Sequence, residues 1–313
     1  SRDPARGPGA AVAARTAGVT MPDVPTGLTP GGRAGTWAAA PAAYVALDVD
    51  GTLLAGTPLP SPRVLTALRD LVADGAAVGV ATGRMTSAGA PRGAAAGLPG
   101  PHVAHNGAAG VAGDGTVLAA WTLTADEVTA LLDLGRGRDD LLVEVYAADA
   151  YRVGRVDDRS RLHTALLGVA PVGTIARPED LGAPAVKGVV LCFSAAAEQD
   201  TIALAHELGL APGPASAPSV PGVRFVNVTH GATDKGGGIG AAAATLGVDA
   251  DRVAFVGDET NDLPALARAG TAIAMGDASA EVRAAAHLVA PTFAEDGAAV
   301  ALDAIRALRR GAA

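Results

Sequence analysis

The 313-residue sequence is short of cysteine, of long apolar runs and of basic residues, and each shortage removes a class of function. Cys192 is its one cysteine, so no disulfide can form within the chain. Its neighbours Val189, Val190, Leu191 and Phe193 read as a buried strand with no charge nearby to stabilise a thiolate, which makes it a core thiol rather than a nucleophile. No apolar run approaches the roughly 20 residues that span a bilayer, because Gly, Pro or a charge interrupts every candidate. Against 32 Asp and Glu stand 24 Lys and Arg, a formal charge of −8, and no basic cluster offers the face that nucleic-acid binding needs. A soluble, cytoplasmic protein with neither nucleic acid nor membrane as partner is expected. Aromatic residues are also scarce, at 3% of a chain that is 49% hydrophobic, so the core must be built mainly from Ala, Val and Leu.

What is present has a clear texture. Residues 1–42 are rich in Ala, Gly, Pro and Arg without periodicity, and lack the continuous apolar segment of a secretory signal; they are expected to form a disordered extension, with Met21 as a candidate initiator. Order is expected from Tyr44-Val45-Ala46-Leu47, a buried strand that ends in Asp48-Val49-Asp50-Gly51-Thr52. Ser61-Pro62 opens a helix with Val64, Leu65, Leu68, Leu71 and Val72 at helical spacing. A second strand, Ala76 to Ala81, ends in Thr82-Gly83-Arg84, and after a Gly- and Pro-interrupted helical stretch a third, His102 to His105, ends in Asn106-Gly107. Strand and helix in alternation predict a parallel sheet with helical crossovers.

Between residues 109 and 228 the texture changes to strand candidates at Leu142–Tyr146, Tyr151–Arg155, Val186–Phe193 and Val223–Val228, with helices at Thr124–Leu134 and Ala196–Leu208. The first texture then returns at Val253-Ala254-Phe255-Val256, which ends in Gly257-Asp258-Glu259-Thr260-Asn261-Asp262. The fold class is therefore α/β, a core of residues 43–108 and 229–313 interrupted by an α+β cap, residues 109–228.

Acidic residues gather at two of these strand ends. Asp48 and Asp50 would point to opposite faces of an extended strand, so they converge only if the chain turns at Gly51; without such a turn they are a surface pair. Asp258, Glu259 and Asp262 either cap the following helix or meet the first cluster. Two such clusters at neighbouring strand ends repel unless a cation lies between them, and hard oxygen ligands suit Mg²⁺. Thr82 and Lys235 could contact phosphoryl oxygens, although Lys235 alone also reads as a solvated lysine. The run Gly236-Gly237-Gly238-Ile239-Gly240 has neither nucleotide-loop spacing nor a strand directly before it. The scattered histidines have no zinc spacing and are read as structural or surface residues.

The order Asp48-x-Asp50-Gly51-Thr52, Thr82-Gly83-Arg84, Lys235-Gly236 and Gly257-Asp258-Glu259-x-Asn261-Asp262 resembles the haloacid dehalogenase superfamily, and the large cap resembles its Cof-type phosphatase branch, as does Asn106-Gly107-Ala108 at the cap entrance. The resemblance implies a Rossmann-like three-layer core with a parallel sheet. It implies Asp48 as nucleophile and Asp50 as general acid and base, with Mg²⁺ held by Asp48, Asp50 through its carbonyl, and Asp258. Thr82, Gly83, Lys235 and Asn261 would serve the phosphoryl group, Asp262 would support the metal's waters or Lys235, and Asn106 and Gly107 would border the substrate entrance. Asp277 stands where the family often has Asn, and the glycine-rich helix after Lys235 is unusual. The implied partner is a small phosphorylated metabolite, with loops near Asp149, Arg152 and Arg155 as cap contacts. A phosphomutase or a silent binding module shares the motifs, whereas ion-pumping ATPases would need membrane spans.

Overall fold

The computed structural model describes residues 23–35, 37, 41–85, 95, 97–216 and 220–311. The first part of the chain forms β1 (Thr29–Pro30), β2 (Tyr44–Asp48), α1 (Pro62–Ala73), β3 (Ala77–Ala81), β4 (His102–Ala104), β5 (Ala109–Val111) and β6 (Val117–Ala120). A middle part follows with α2 (Ala125–Gly135), β7 (Leu141–Tyr146), β8 (Tyr151–Val153), α3 (Asp158–Leu167), β9 (Lys187–Cys192), α4 (Ala195–Glu207), β10 (Ala211–Ser216) and β11 (Arg224–Thr229). The last part holds α5 (Lys235–Thr245), β12 (Val253–Gly257), α6 (Leu263–Arg268), β13 (Thr271–Ala274), α7 (Ala280–Ala285), β14 (Leu288–Val289) and α8 (Gly297–Gly311). No helix among the described residues is long and apolar enough to cross a membrane.

The first and last parts build one sheet in the order β1-β14-β13-β12-β2-β3-β4-β5-β6, parallel from β14 to β4. Its central strands are apolar throughout because both faces are covered. In β2, Val45 and Leu47 join the core beside α1 and α8, while Tyr44 and Ala46 join the core beside α5, α6 and α7. This period of two makes three layers, as the motifs imply. Helix α1 starts where Ser61 Oγ accepts the Val64 N–H at 3.2 Å, with Pro62 in its first turn. It buries Val64, Ala67, Leu68 and Leu71, and each leucine of that stripe contributes about 1.5–3 kcal/mol.

The middle part is a separate five-stranded antiparallel sheet, β10-β11-β9-β7-β8. Helices α2 and α4 cover one face through Val128, Leu131, Ala197 and Ala205. Leu142, Tyr146, Val189, Leu191 and Phe225 occupy the other face and pack with Met85 of the core. That contact turns one face of the cap sheet toward the carboxyl edge of the core.

Two expectations are corrected, and two elements are added to those expected. Residues 1–22, 36 and 38–40 lie outside the described residues, but described parts of the expected extension are anchored: Thr29 and Pro30 pair with Val289 and Leu288, and Leu28 and Trp37 are buried. The cap begins later than residue 109, because β5 and β6 turn back antiparallel on β4 and extend the core sheet; its own core runs from Leu123 to Val228, and its last strand ends at Thr229. Strand β10 escaped notice because Pro212 and Pro214 lie in it, and they are tolerated because it is the edge of the cap sheet. Helix α3 escaped because it buries only Ser160 and His163 and so lacks an apolar stripe; Asp157 caps it. The interrupted helical stretch expected between Arg84 and His102 falls largely outside the described residues.

The glycines of α5 have different roles. A Cβ on Gly238 would sit 2.5 Å from the Cα of Gly107, so this glycine lets the helix press against the turn after β4. A Cβ on Gly240 would meet nothing within 4 Å. Gly240→Ala is therefore expected to raise stability by about 0.5–1 kcal/mol through helix propensity, and Gly238→Ala to lower it by about 1–3 kcal/mol through overpacking. Urea unfolding of both variants checks the opposite signs.

Candidate active site

Parallel strands deliver their carboxyl ends to one edge, and the order β12-β2-β3-β4 brings four polar turns together there. Asp48 closes β2, Thr82 follows β3, Asn106 follows β4 and Asp258 follows β12. Two further contacts tie the turns: Asn261 Nδ2 donates to Asn106 Oδ1 at 3.1 Å, and the Asn106 N–H donates to the Thr82 carbonyl at 3.0 Å. Asn106 adopts φ 55°, a left-handed conformation that asparagine tolerates better than most residues.

Lys235 opens α5, and its ammonium donates to Asp48 Oδ1 at 2.7 Å and to Asp262 Oδ1 at 2.5 Å. The second oxygen of Asp262 accepts the N–H groups of Asp258 at 2.9 Å and Glu259 at 3.0 Å. Asp262 is thus a brace that fixes both the lysine and the loop after β12. Lys235 is 1% exposed; burial alone would lower its pKa, yet Asp48 and Asp262 outweigh that and hold it protonated above the ordinary lysine range. Burial pushes Asp48 upward, Asp262 and Asp258 add repulsion, and Lys235 counters them. Asp258 is pushed up to about 7, chiefly by burial, with the Asp262 and Glu259 carboxylates adding to it and a 2.6 Å hydrogen bond from Thr52 Oγ1 opposing it.

Asp48, Asp258 and Asp262 place carboxylate oxygens within 4.8 Å of one another. Because Asp262 is already engaged by one ammonium and two backbone donors, Asp48 and Asp258 are the pair left to hold a cation. Gly51 makes room for this: at φ +92°, a Cβ there would fall 2.1 Å from Asp258 Oδ2. An oxygen-only donor set in which burial opposes ionisation fits a hard divalent cation, whose charge would reverse that opposition.

The cluster borders a cleft of about 570 Å³ between core and cap. Asp48, Asp50, Gly83, Asn106 and Asn261 line it. Lys235 and Thr82 do not; both are buried, Lys235 against Asp48 and Thr82 with its hydroxyl accepting the Arg84 N–H at 3.2 Å. Gly107 is not an entrance residue either, since a Cβ on it would lie 2.0 Å from the Asp234 carbonyl and its task is close packing against α5. Asp50 is exposed, with Arg84 at 3.1 Å.

The cap residues expected at the cleft lie elsewhere. Arg152 binds the Thr174 carbonyl, and Arg155 binds Asp157 and the carbonyls of Arg138 and Leu141; neither lines the cleft, nor does Asp149. Tyr146, His163, Lys187, Phe225 and Asn227 line it instead. Glu144 and Lys187 carried a signal, a charge inside or opening an otherwise apolar strand. Asp277 accepts the Phe293 N–H at 3.2 Å and serves a turn. Cys192 is buried, with its thiol pushed up to about 11 by burial, as expected of a core residue.

A family model described as haloacid dehalogenase-like hydrolase matches residues 45–302. The chain is similar to a solved phosphatase of the HAD enzyme superfamily from Bacteroides thetaiotaomicron, at 27% identity over 85% of this chain and 96% of that one, with a TM-score of 0.69. It also shares its fold with a HAD subclass IIB sugar phosphatase, at 21% identity, 83% and 97% coverage and a TM-score of 0.65. A Haemophilus influenzae protein whose name suggests a phosphatase is 37% identical over 79 residues, 25% of this chain and 30% of that protein. The alignment thus spans less than a third of that curated relative.

Lys235→Met would leave Asp48 and Asp262 buried without a counter-charge. Stability at pH 8 is expected to fall by about 3–5 kcal/mol. Asp48, which burial already pushes upward, would then bind its proton more tightly folded than unfolded, so stability falls as pH rises and part of the loss returns on acidification. Urea midpoints at pH 8, 6.5 and 5 measure it; a deficit that did not shrink toward pH 5 would contradict the account.

Proposed function

Because the chain belongs to the haloacid dehalogenase-like hydrolase family, we propose that it is a Mg²⁺-dependent phosphatase that hydrolyses small phosphate monoesters through a phospho-aspartate on Asp48. The observation that carries this reading is the Asp48 carboxylate at the cleft, held at 2.7 Å by a buried ammonium and next to Asp258. An isolated buried carboxylate would take a proton and lose its nucleophilicity; the Lys235 ammonium opposes the upward push of burial on Asp48 and fixes one oxygen, leaving the other free to attack.

In the first step Asp48 attacks phosphorus in line, a P–O bond forms to its carboxylate, and the ester P–O bond breaks as Asp50 gives its proton to the departing oxygen. In the second, Asp50 takes a proton from water, whose oxygen attacks the same phosphorus and releases inorganic phosphate from Asp48. Arg84 lies 3.1 Å from Asp50, an exposed pair at the mouth of the cleft. Gly83 and Asn261 line the cleft where the transferred phosphoryl group would sit. Asp48 and Asp258, with the Asp50 carbonyl, would hold Mg²⁺, which neutralises charge developing on the phosphoryl oxygens.

Phosphate release from a panel of phosphate monoesters with Mg²⁺ tests the assignment. The parent is expected to release phosphate, Asp48→Asn to lose at least about a thousandfold in rate, and Asp50→Asn about 10²- to 10⁴-fold. Phosphorylated isomer without free phosphate would replace hydrolysis by a mutase, and full activity in Asp48→Asn would refute the phospho-aspartate.

The cation has a second readout. A carboxyl raised to about 7 folded binds its proton more tightly than in the unfolded chain, so in EDTA the Asp258 contribution favours folding at low pH and is lost as pH rises from about 4 through 7. Asp258→Asn is therefore expected to raise the thermal midpoint in EDTA at pH 8 by a few degrees, on the order of 1 kcal/mol or more. Mg²⁺ should raise the parent's midpoint and leave the variant's nearly unmoved.

A further inference from the structure

The cap sheet places a second polar group over the cleft. Register pairs Glu144 with Val189 and Tyr146 with Lys187, so Glu144, Tyr146, Lys187 and Val189 share the face turned toward the core. Glu144 is fully buried; its Oε2 accepts the Tyr146 hydroxyl at 2.6 Å and meets His163 Nδ1 at 2.8 Å. The Lys187 ammonium lies 4.8 Å from the centre of the Tyr146 ring and reaches across to the core, donating to the Gly83 carbonyl at 3.0 Å. Lys187 is 4% exposed, and that carbonyl is its one hydrogen-bond acceptor among the described residues. An ammonium carries three N–H donors, so two remain for whatever fills the cleft. Burial, with a smaller push from Arg84 against the pull of Glu144, lowers its pKa to about 8, which still leaves it mostly charged at neutral pH.

A desolvated cation with unused donors is stabilised by an acceptor, and the rest of the wall limits what can bring one. Leu166, Leu167, Val189, Phe225 and Met85 also line the cleft. A leaving group with hydroxyls on all sides would press some of them unpaired against the Leu166, Leu167 and Phe225 part of the wall, its polar partners being confined to the side of Tyr146, His163, Lys187 and Asn227. A ring with one apolar face and one oxygen acceptor satisfies both.

We propose that Lys187 selects the leaving group, binding an acceptor oxygen such as a carboxylate on a phosphate monoester whose apolar ring lies against Phe225, Leu166 and Leu167. The proposal rests on the phosphatase reading of the same cleft and names its substrate class. Lys187 spans cap and core, so this selection occurs only with the cap seated on the Gly83 turn.

The test compares phenyl phosphate with 3-carboxyphenyl phosphate in the full chain with Mg²⁺. The parent is expected to favour the carboxylated ester in kcat/KM by about 10- to 100-fold, the worth of a hydrogen bond to a charged group. Lys187→Met should bring that ratio to about 1–3, mainly through KM, and Lys187→Arg should keep part of it. Phe225→Ala should lower the preference for phenyl phosphate over glycerol phosphate. The same pair of esters is bound calorimetrically to Asp48→Asn, with and without Lys187→Met. No turnover but a Lys187-dependent difference in binding would overturn the phosphatase reading and keep the selection; a ratio near 1 in the parent, or one unchanged in Lys187→Met, would overturn the selection itself.

Discussion

One buried ammonium between two carboxylates holds the site together. Lys235 reaches Asp48 at 2.7 Å and Asp262 at 2.5 Å, and all three side chains are nearly without solvent. Burying those charges is costly, and only mutual pairing with further hydrogen bonds offsets it. Asp262 supplies those bonds through the N–H groups of Asp258 and Glu259, so the lysine's partner also shapes the turn that presents Asp258. Three segments far apart in sequence are thereby locked to one another.

Backbone shape serves this lock. Helix α5 can bring Lys235 to the sheet edge only because Gly238 and Gly107 let helix and turn approach within the space of a side chain. The glycine-rich composition of that helix, odd by propensity, reflects close packing at Gly236 and Gly238 rather than looseness; Gly240, with open space around it, has no such reason.

How much of this was legible varied with the physics. Asp48, Asp50, Asp258 and Asn261 were readable because apolar strands ending in acidic turns are a one-dimensional pattern, and the parallel sheet turns that pattern into proximity. The five cap strands depend on antiparallel pairing among segments spread over many residues, and there the reading was uneven. Four were found at nearly their observed bounds, while β10 was hidden by Pro212 and Pro214. The cleft's cap wall was invisible for a different reason. Charges at the end of β8 such as Arg152 and Arg155 attract notice, yet they serve local carbonyls, while Lys187 and Glu144 sit in strands where burial gives them their importance. Thr29 and Pro30 add a last case, an edge pairing with Val289 that composition could not reveal.

The insertion of the cap also dictates the order in which the chain can be completed during synthesis. Strand β2 has β3 beside it early, but its other neighbour, β12, begins at Val253. Until that segment leaves the ribosome, Asp48 lacks Lys235 and Asp262, and one edge of β2 stays unpaired. The cap, whose pairings lie wholly between Leu141 and Thr229, can close first and stand as a folded plug in an unfinished sheet. The nascent chain thus carries Asp48 for 187 residues before Lys235 exists, and the site is assembled only by the closing of the core.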